Sequence, residues 1–301
     1  MQNTSQLLMI KPVDFAFNAE TAVNNAFQST TEDAQLNALR EFTDFVSVLK
    51  QNHVHVTVIE DTPVPHTPDS IFPNNWISFH DDGVIVLYPM FAANRRAERK
   101  GHVLETIKDI FIVNKEVDLT HFEHQHLFLE GTGSMVLDRE NKIAYACISP
   151  RTNEKVLDEF CRIKNYKPVT FIATDNNGVD IYHTNVMMCV ADKFVVISLD
   201  AIKNENERKK VIDTIIESRK EIIKITQQQI NSFAGNMLQV INTDKEKLLI
   251  MSTQAFNSLT QKQINTLQKY NRIVHSSLNT IEKAGGGSAR CMMAEIFLAL
   301  K

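Results

Sequence analysis

The chain has 301 residues, of which 43% are hydrophobic and 23% are charged, and its net charge at pH 7 is −4. This length and composition allow a large buried core, in one large domain or two ordinary ones. There is no long Lys/Arg run, and aromatic residues are not interleaved with basic ones. These features argue against nucleic acid or an anionic membrane surface as the main partner.

The first residues lack the features of a targeting segment. Residues 1–6 are polar, and the apolar run 7–10 is too short for a signal peptide or a membrane span. The cysteines show no CxxC spacing, and Cys147 and Cys189 lie in apolar, strand-like runs. We expect those two thiols to be reduced core residues and Cys161 to lie on a helix. A soluble, cytoplasmic protein is expected.

Strand pairs and helices alternate along the chain with a regular order. Apolar runs around turn residues predict hairpins that pair 76–80 with 84–88, 134–137 with 144–148, 186–190 with 194–198, and 237–241 with 248–252. Apolar residues at three- and four-residue steps predict helices over 36–48, 103–110, 156–163, 211–216 and 264–270. Short strands follow, at 54–59, 169–172, 222–225 and 273–275. The unit of hairpin, helix and strand recurs every fifty-odd residues, which is typical of a propeller or solenoid.

One residue with a polar or reactive side chain precedes the first strand of each unit. The five are Asn75, Glu130, His183, Asn236 and Cys291, separated by 55, 53, 53 and 55 residues. Polar residues are common before strands, but a Cys, a His and a Glu in one register are not expected from that tendency alone. Equivalent positions of a closed ring meet at its axis, so these side chains are predicted to converge.

The repeat predicts one domain over residues 1–301, a five-fold pseudosymmetric α/β propeller with helices outside and short strands inside. Residues 7–11 have no hairpin partner and are predicted to pair with 296–300, which would close the ring. The Pro-containing segment 64–68 is interpreted as a loop and not as a domain boundary.

Three of the nine glycines stand together at Gly285, Gly286 and Gly287, just before Cys291. Because glycine is scarce elsewhere, the cluster indicates a sharp bend or a close approach to a ligand. A thiol presented by such a turn is a candidate nucleophile. The alternative is a small, inert core residue.

Five motifs, in order along the chain, resemble one known superfamily. They occupy residues 68–76 (PDSIFPNNW), 128–131 (FLEG), 149–153 (SPRTN), 183–185 (HTN) and 285–292 (GGGSARCM). The chain resembles the guanidino-modifying enzymes, the pentein fold of arginine deiminases, dimethylarginine dimethylaminohydrolases and amidinotransferases. Within that superfamily it is most similar to the citrulline utilisation hydrolases, and the resemblance covers nearly the whole chain.

The resemblance implies a catalytic group of three residues: Cys291 as the nucleophile, His183 as the general acid/base, and Glu130 as the carboxylate that binds a substrate nitrogen. Protonated His183 is expected to favour the reactive thiolate and later to protonate the leaving amine. Citrulline would yield ornithine, ammonia and carbon dioxide through a covalent Cys intermediate. Backbone N–H groups at 286–288, or the side-chain amides of Asn75 and Asn185, are candidate oxyanion donors. No cofactor is implied.

The resemblance also implies that Asp69 holds the substrate's α-ammonium group and that Arg95 and Arg151 clamp its α-carboxylate. Arginine-acting relatives usually carry aspartate where this chain has Asn75, and often another where it has Asn185. Asparagine offers both a donor and an acceptor but no charge, so a neutral ureido group suits it better than a guanidinium. The two residues favour citrulline, and an arginine or dimethylarginine hydrolase is the alternative.

Other interpretations of the sequence remain open. His121, His124 and His126 surround Glu123 and could suggest a metal site, but they do not form an HExxH helix and no fourth ligand is evident. No metal is therefore expected. A non-catalytic propeller that binds an amino acid or a partner protein is a further alternative, which the presence of the Cys, His and Glu argues against.

The partner expected from the sequence is a small-molecule amino acid, citrulline or arginine-like. The oligomeric state stays open, with a homodimer among the compatible forms. Asn236 receives no chemical role, since a turn residue after Ala234 and Gly235 explains it equally well.

Overall fold

Fifteen short strands form five three-stranded sheets in the computed structural model, which describes residues 1–301. The strands are β1 Gln6–Lys11, β2 His55–Glu60, β3 Ile77–Phe79, β4 Val84–Leu87, β5 Lys115–Asp118, β6 Met135–Asp138, β7 Ile143–Cys147, β8 Lys167–Phe171, β9 Met188–Val190, β10 Phe194–Ile197, β11 Glu221–Lys224, β12 Leu238–Ile241, β13 Lys247–Ser252, β14 Arg272–Ser276 and β15 Ala294–Glu295.

Twelve helices connect or flank the strands. They are α1 Ala19–Ala22, α2 Ala34–Gln51, α3 Ala93–Arg96, α4 Gly101–Ile110, α5 Gly131–Ser134, α6 Glu154–Lys164, α7 Thr184–Met187, α8 Glu205–Glu217, α9 Gln227–Asn231, α10 Thr253–Ser258, α11 Gln261–Gln268 and α12 Asn279–Gly285. Single 3-10 turns occur at Pro73–Asn75, Thr120–Gln125 and Leu199–Ala201. None of the helices combines the length and the apolar character that a membrane crossing requires.

All five sheets share one topology. Their strand orders are β15-β1-β2, β3-β4-β5, β6-β7-β8, β9-β10-β11 and β12-β13-β14. In each sheet the central strand is antiparallel to the first strand and parallel to the last. Helices make the crossover to the parallel strand, as that connection requires. The predicted repeat of hairpin, helix and strand is therefore confirmed, and the fold is a five-bladed α/β propeller.

Burial explains why these segments form strands and helices. The central strands β7 and β10 are buried along their whole length and consist of apolar runs, as strands covered on both faces do. The helix α6 begins after Asn153, whose side chain accepts a hydrogen bond from the Lys155 N–H, and ends at Asn165 in the left-handed conformation. The apolar side chains form four clusters between the sheets and helices, which leaves the centre of the ring to polar groups.

The ring is closed by the two ends of the chain, but not in the predicted register. The strand β1 pairs with β15, with Leu7 opposite Glu295 and Leu8 opposite Ala294. The prediction had placed residues 296–300 in this role. Those residues instead run on toward α4, where Leu300 forms an isolated bridge with Phe111. The apolar run after β15 packs against neighbouring elements, so its hydrophobicity did not mark the strand.

The buried side chain of Gln2 joins two neighbouring sheets. Its Nε2 donates to the carbonyl oxygens of Leu137 in β6 at 3.0 Å and Val190 in β9 at 3.1 Å, and its Oε1 accepts from the Arg139 N–H at 2.7 Å. The residues that follow continue the pattern, since Asn3 Nδ2 donates to Gln239 Oε1 in β12 at 2.9 Å. Segment 2–4 therefore fastens the inner strands together at one end of the ring.

Replacing Gln2 with alanine should destabilise the protein, because three buried backbone groups would lose their partner. We expect the free energy of unfolding to fall by about 2 kcal/mol, measured by urea denaturation. The matched control is Gln51→Ala at the exposed end of α2, which should stay within about 0.5 kcal/mol of wild type. Equal effects of the two substitutions would contradict the bridging role.

Candidate active site

The five residues in register lie just before the inner strands β3, β6, β9, β12 and β15, and all are buried. Glu130 and His183 are the N-cap residues of the one-turn helices α5 and α7, which lead directly into β6 and β9. Contacts between inner strands of neighbouring sheets draw these positions together at the centre of the ring.

The glycine cluster forms the bend that the sequence predicted. Gly286 follows α12 with a φ of 64°, in the left-handed region that favours glycine. A Cβ on Gly285 or Gly287 would lie within 3 Å of the Phe72 ring. The Tyr182 hydroxyl donates to the Gly286 carbonyl oxygen at 2.6 Å. Phe72 and Tyr182 thus both contact the glycine turn, which ends four residues before Cys291.

The sulfur of Cys291 is surrounded by side-chain amides. Asn236 Nδ2 lies 3.2 Å and Asn185 Nδ2 lies 3.6 Å from Sγ. Asn236 also donates to the Asn185 carbonyl oxygen at 3.0 Å. The sequence identified Asn185 as a substrate-binding candidate but gave Asn236 no chemical role, although both reach the candidate nucleophile.

The Glu130 carboxylate makes a hydrogen bond with the His183 ring, with 2.8 Å between Oε2 and Nε2. Its other oxygen accepts from the Phe91 N–H at 3.0 Å. Arg151 Nη1 and Arg95 Nη1 lie 3.6 and 3.8 Å from Oε2. Burial alone would raise the pKa of Glu130, but Arg151, His183 and Arg95 together hold it well below its usual range. The carboxylate is therefore ionised.

Burial favours the neutral form of the His183 imidazole. Burial lowers its pKa to about 4, against the opposing effect of Glu130. Because an ionised carboxylate only accepts hydrogen bonds, Nε2 carries the hydrogen and Nδ1 is the free basic nitrogen. Full burial near Arg151 and Arg95 opposes a further positive charge, which argues against the expectation that protonated His183 favours the thiolate; that role stays a prediction.

Asp69 is buried with one oxygen free. Its Oδ2 accepts from Asn18 Nδ2 at 2.7 Å and from Thr21 Oγ1 at 3.1 Å, and Arg95 Nε lies 3.9 Å away. Its Oδ1 has no partner in the protein. Burial raises the pKa of this carboxyl, with Arg95 acting in the opposite direction. The free oxygen is available to a donor group such as an ammonium.

Arg151 lies on the ring of Tyr182, with 4.8 Å from Cζ to the ring centroid. Its Nε donates to Asn24 Oδ1 at 2.8 Å and its Nη2 to the Thr21 carbonyl oxygen at 2.7 Å. The same planar N–H groups could take a carboxylate in place of these two oxygens.

Arg95 is held by a buried carboxylate that the sequence analysis did not identify. Its Nε and Nη2 donate to Glu98 at 2.7 and 2.9 Å, and its Nη1 donates to Asn75 Oδ1 at 2.9 Å. Burial raises the pKa of Glu98 to about 7 despite this contact. The Nε–H and Nη2–H groups of Arg95 are thus already paired with Glu98. The assignment of Arg95 to a substrate carboxylate stays a prediction.

The remaining amide atoms of Asn75 and Asn185 lack partners. Asn75 Nδ2 and Asn185 Oδ1 are both buried without a hydrogen bond. Gly133 makes room for this arrangement, since a Cβ there would lie 2.3 Å from Asn75 Nδ2 and 2.8 Å from His183 Nδ1. A donor and an acceptor are therefore left unused beside the candidate catalytic residues.

A segment near the N-terminus contributes polar groups that the sequence analysis missed. Asn18 and Thr21 bind Asp69, Asn24 binds Arg151, and Gln28 Nε2 donates to the Gly285 carbonyl oxygen at 3.1 Å. The available signal was a long stretch, residues 12–33, that has several amide side chains and no periodicity.

One cavity joins most of these groups. It is lined by Thr21, Asn25, Asp69, Phe72, Asn75, Arg95, Arg151, Tyr182, His183, Gly285, Gly286, Gly287 and Cys291. The structure thus brings the thiol, the imidazole and the amino-acid-binding candidates to one space, with Glu130 behind His183 and Asn185 beside the sulfur.

The other candidates from the sequence lie elsewhere. Cys147 and Cys189 are buried in β7 and β9 and Cys161 is buried in α6, all as free thiols, as predicted. Burial raises the pKa of each of these three thiols to about 12. No group of three or more His, Cys, Asp or Glu side chains is positioned to hold a metal ion, and this includes the His121, His124 and His126 loop.

Comparison with known families identifies the chain. The model of the family described as "N,N dimethylarginine dimethylhydrolase, eukaryotic" matches residues 11–298, nearly the whole sequence. The chain belongs to this family of guanidino-modifying penteins. Membership supports a hydrolase that acts on C–N bonds. A sequence comparison with curated proteins gives no match.

Solved structures share the pentein fold at low sequence identity. The substrate-bound N-terminal domain of ArgZ, a cyanobacterial arginine dihydrolase, superposes with a TM-score of 0.75 at 18% identity, over 97% of this chain and 99% of that domain. AgrE in complex with ornithine and NAD+ gives 0.76 at 17% identity, over 98% of this pentein and 40% of that chain. A dimethylarginine dimethylaminohydrolase adduct gives 0.66 at 12% identity, over 98% and 100%. This pentein also spans 40% of full-length ArgZ.

The neutral state of His183 can be tested by NMR on protein with ¹³C-labelled histidine. Because burial lowers the pKa of His183 to about 4, its resonance should not shift between about pH 8 and about pH 5.5, where ordinary histidines titrate. The His183→Asn variant identifies the resonance by its loss. A transition near the ordinary histidine value would contradict the assignment.

Proposed function

We propose that this pentein is a cysteine-dependent hydrolase that cleaves the ureido C–N bonds of citrulline to give ornithine, ammonia and carbon dioxide. Cys291 is the nucleophile, His183 the general acid/base, and Glu130 the group that orients the imidazole. The observation that carries the choice of substrate is the unused buried donor at Asn75 Nδ2.

The orientation of the Asn75 amide is fixed. Its Oδ1 accepts from Arg95 Nη1, so its Nδ2 is the atom left without a partner. A buried N–H needs an acceptor, and leaving it unsatisfied costs about 1–3 kcal/mol. The ureido group of citrulline has a carbonyl oxygen to offer. A guanidinium has only N–H groups and would place donor against donor.

The charges around the sulfur support the same choice. The Glu130 carboxylate is already within 4 Å of two guanidinium groups and hydrogen-bonded to His183. The side chains that contact the Cys291 sulfur itself are the neutral amides of Asn185 and Asn236. A cationic guanidinium buried over the sulfur would find no free carboxylate in contact with it to balance its charge. Burying a charge without such a partner is costly, whereas a neutral ureido group does not need one.

The amino-acid end of the substrate would lie at the other side of the cavity. The free Asp69 Oδ1 would accept from the α-ammonium group. Arg151 and Arg95 would supply the positive charge for the α-carboxylate, with Arg151 exchanging its contacts to Asn24 and Thr21 for the substrate's two oxygens. Holding both charged groups would place the ureido carbon over the sulfur.

The chemistry then follows in two stages. As Sγ forms a bond to the ureido carbon, neutral His183 takes the thiol proton and the C=O electron pair moves onto oxygen. Collapse of this adduct breaks one C–N bond, and His183 gives its proton to the leaving nitrogen. Water, deprotonated by His183, then attacks the thiocarbamate, the C–S bond breaks, and the carbamate formed loses carbon dioxide. Citrulline and one water thus account for all three products.

An arginine or dimethylarginine hydrolase is the second candidate. The structural neighbours favour it, because ArgZ is described as an arginine dihydrolase and the matched family by its action on dimethylarginine. The unused donor at Asn75 Nδ2 argues against it.

Separate incubations with citrulline, arginine and dimethylarginine, in which both substrate consumption and the release of ornithine or citrulline are measured, distinguish the two. We expect kcat/KM for citrulline to exceed that for arginine by about 100-fold, corresponding to roughly 3 kcal/mol from an unmatched buried donor and an uncompensated charge. The Cys291→Ala variant should release no ornithine. Faster turnover of arginine or dimethylarginine would reject citrulline as the substrate.

Replacing Asn75 with aspartate should narrow this preference. The carboxylate would put an acceptor where the free donor Nδ2 now lies. We therefore expect kcat/KM for citrulline to fall by about 100-fold. Arginine should bind more tightly, as measured calorimetrically in the Cys291→Ala background. The matched control is Asn74→Asp, a buried neighbour that does not line the cavity. If Asn74→Asp produces the same change, the donor at Asn75 is not what selects the substrate.

A further inference from the structure

The amide of Asn236 is held in one orientation by the backbone beside the nucleophile. Its Oδ1 accepts a hydrogen bond from the Arg290 N–H at 3.0 Å, one residue before Cys291. The Nδ2 atom must therefore face the other way, where it donates to the Asn185 carbonyl oxygen at 3.0 Å and lies 3.2 Å from the Cys291 sulfur. Asn236 is completely buried, so water does not compete with the protein for these hydrogen bonds.

Asn185, the other amide at the sulfur, is not fixed in this way. Its Nδ2 is 3.6 Å from Sγ, and its Oδ1 has no partner that would keep the amide from turning. Of the two donors, Asn236 is both nearer to the sulfur and more firmly oriented.

A sulfur anion formed at Cys291 needs such a donor because the cavity offers it little positive charge. Burial disfavours the protonated form of the His183 imidazole in the same cavity. The other charged or titratable groups that face the cavity are Asp69, Arg95, Arg151 and Tyr182. Of these, Arg95 lies against Glu98 and Arg151 against Glu130, so neither is a free cation for the sulfur.

We propose that Asn236 is a catalytic residue whose Nδ2–H group donates a hydrogen bond to the Cys291 sulfur and stabilises its anionic form. A hydrogen bond to an anion is about twice as strong as one between neutral groups, so the contact favours the thiolate over the thiol. The thiol proton moves to His183 during turnover and to solvent when no substrate is present. The inference rests on Cys291 being the nucleophile, but not on which substrate it attacks.

The test measures the sulfur directly, without substrate. The rate of Cys291 alkylation by iodoacetamide is followed against pH by mass spectrometry in wild type, Asn236→Ala and Asn236→Asp. Burial, which raises the pKa of Cys147, Cys161 and Cys189 to about 12, keeps these thiols from competing near neutral pH.

We expect the midpoint of the alkylation profile to move upward by about one pH unit in Asn236→Ala, so that the rate at neutral pH falls about tenfold. Asn236→Asp keeps an oxygen for the Arg290 N–H but puts a carboxylate oxygen beside the sulfur, so its midpoint should move further. This second variant decides the question if the alanine variant does not fold.

Asn242→Ala is the matched control. Asn242 is a buried amide next to β12 that binds the Glu246 N–H and the Asn52 carbonyl oxygen, without contact to the sulfur. Its alkylation profile should equal that of wild type. Wild-type profiles in folded Asn236 variants would overturn the proposal, as would an equal shift in Asn242→Ala. Absence of citrulline turnover would count against the proposed substrate alone.

Discussion

The ionised carboxylate of Glu130 is completely buried at the centre of the ring, and the positions of the groups around it follow from that fact. A buried charge without compensation is strongly destabilising. Here Arg95 and Arg151 from two other segments supply the opposite charge, and His183 and the Phe91 N–H supply hydrogen bonds. Each of these groups is in turn held by further contacts, such as Glu98 on Arg95 and Asn24 on Arg151. The polar interior is thus one connected network in which the thiol is bordered by neutral amides.

Much of this arrangement could be predicted from the sequence, because the repeat leaves two independent signals. The central strands are buried on both faces and so appear as continuous apolar runs, and one polar residue before each inner strand marks the axis. These signals identified the five sheets and the convergence of Glu130, His183 and Cys291. These signals depend only on burial and on residue spacing, and both can be inferred from the amino-acid sequence.

Other features could not be predicted because they depend on three-dimensional contacts without a periodic pattern. The segment with Asn18, Thr21 and Asn24 has no regular structure long enough to give a sequence signal, yet it binds Asp69 and Arg151. The charge state of His183 depends on how deeply the ring is buried, which composition does not report. The two-residue strand β15 is too short to be distinguished from the apolar residues that follow it.

The pairing of β1 with β15 determines when the ring can close during synthesis of the chain. Ring closure joins β1, which begins at Gln6, to β15, which ends at Glu295, so the propeller is incomplete until the ribosome has added that residue. Cys291, the proposed nucleophile, lies three residues before β15. The residues that surround it on the other blades are synthesised earlier, and the thiol joins them only when the last blade is complete. A nascent chain that has not yet reached residue 291 therefore carries the other groups of the proposed catalytic centre without the Cys291 sulfur.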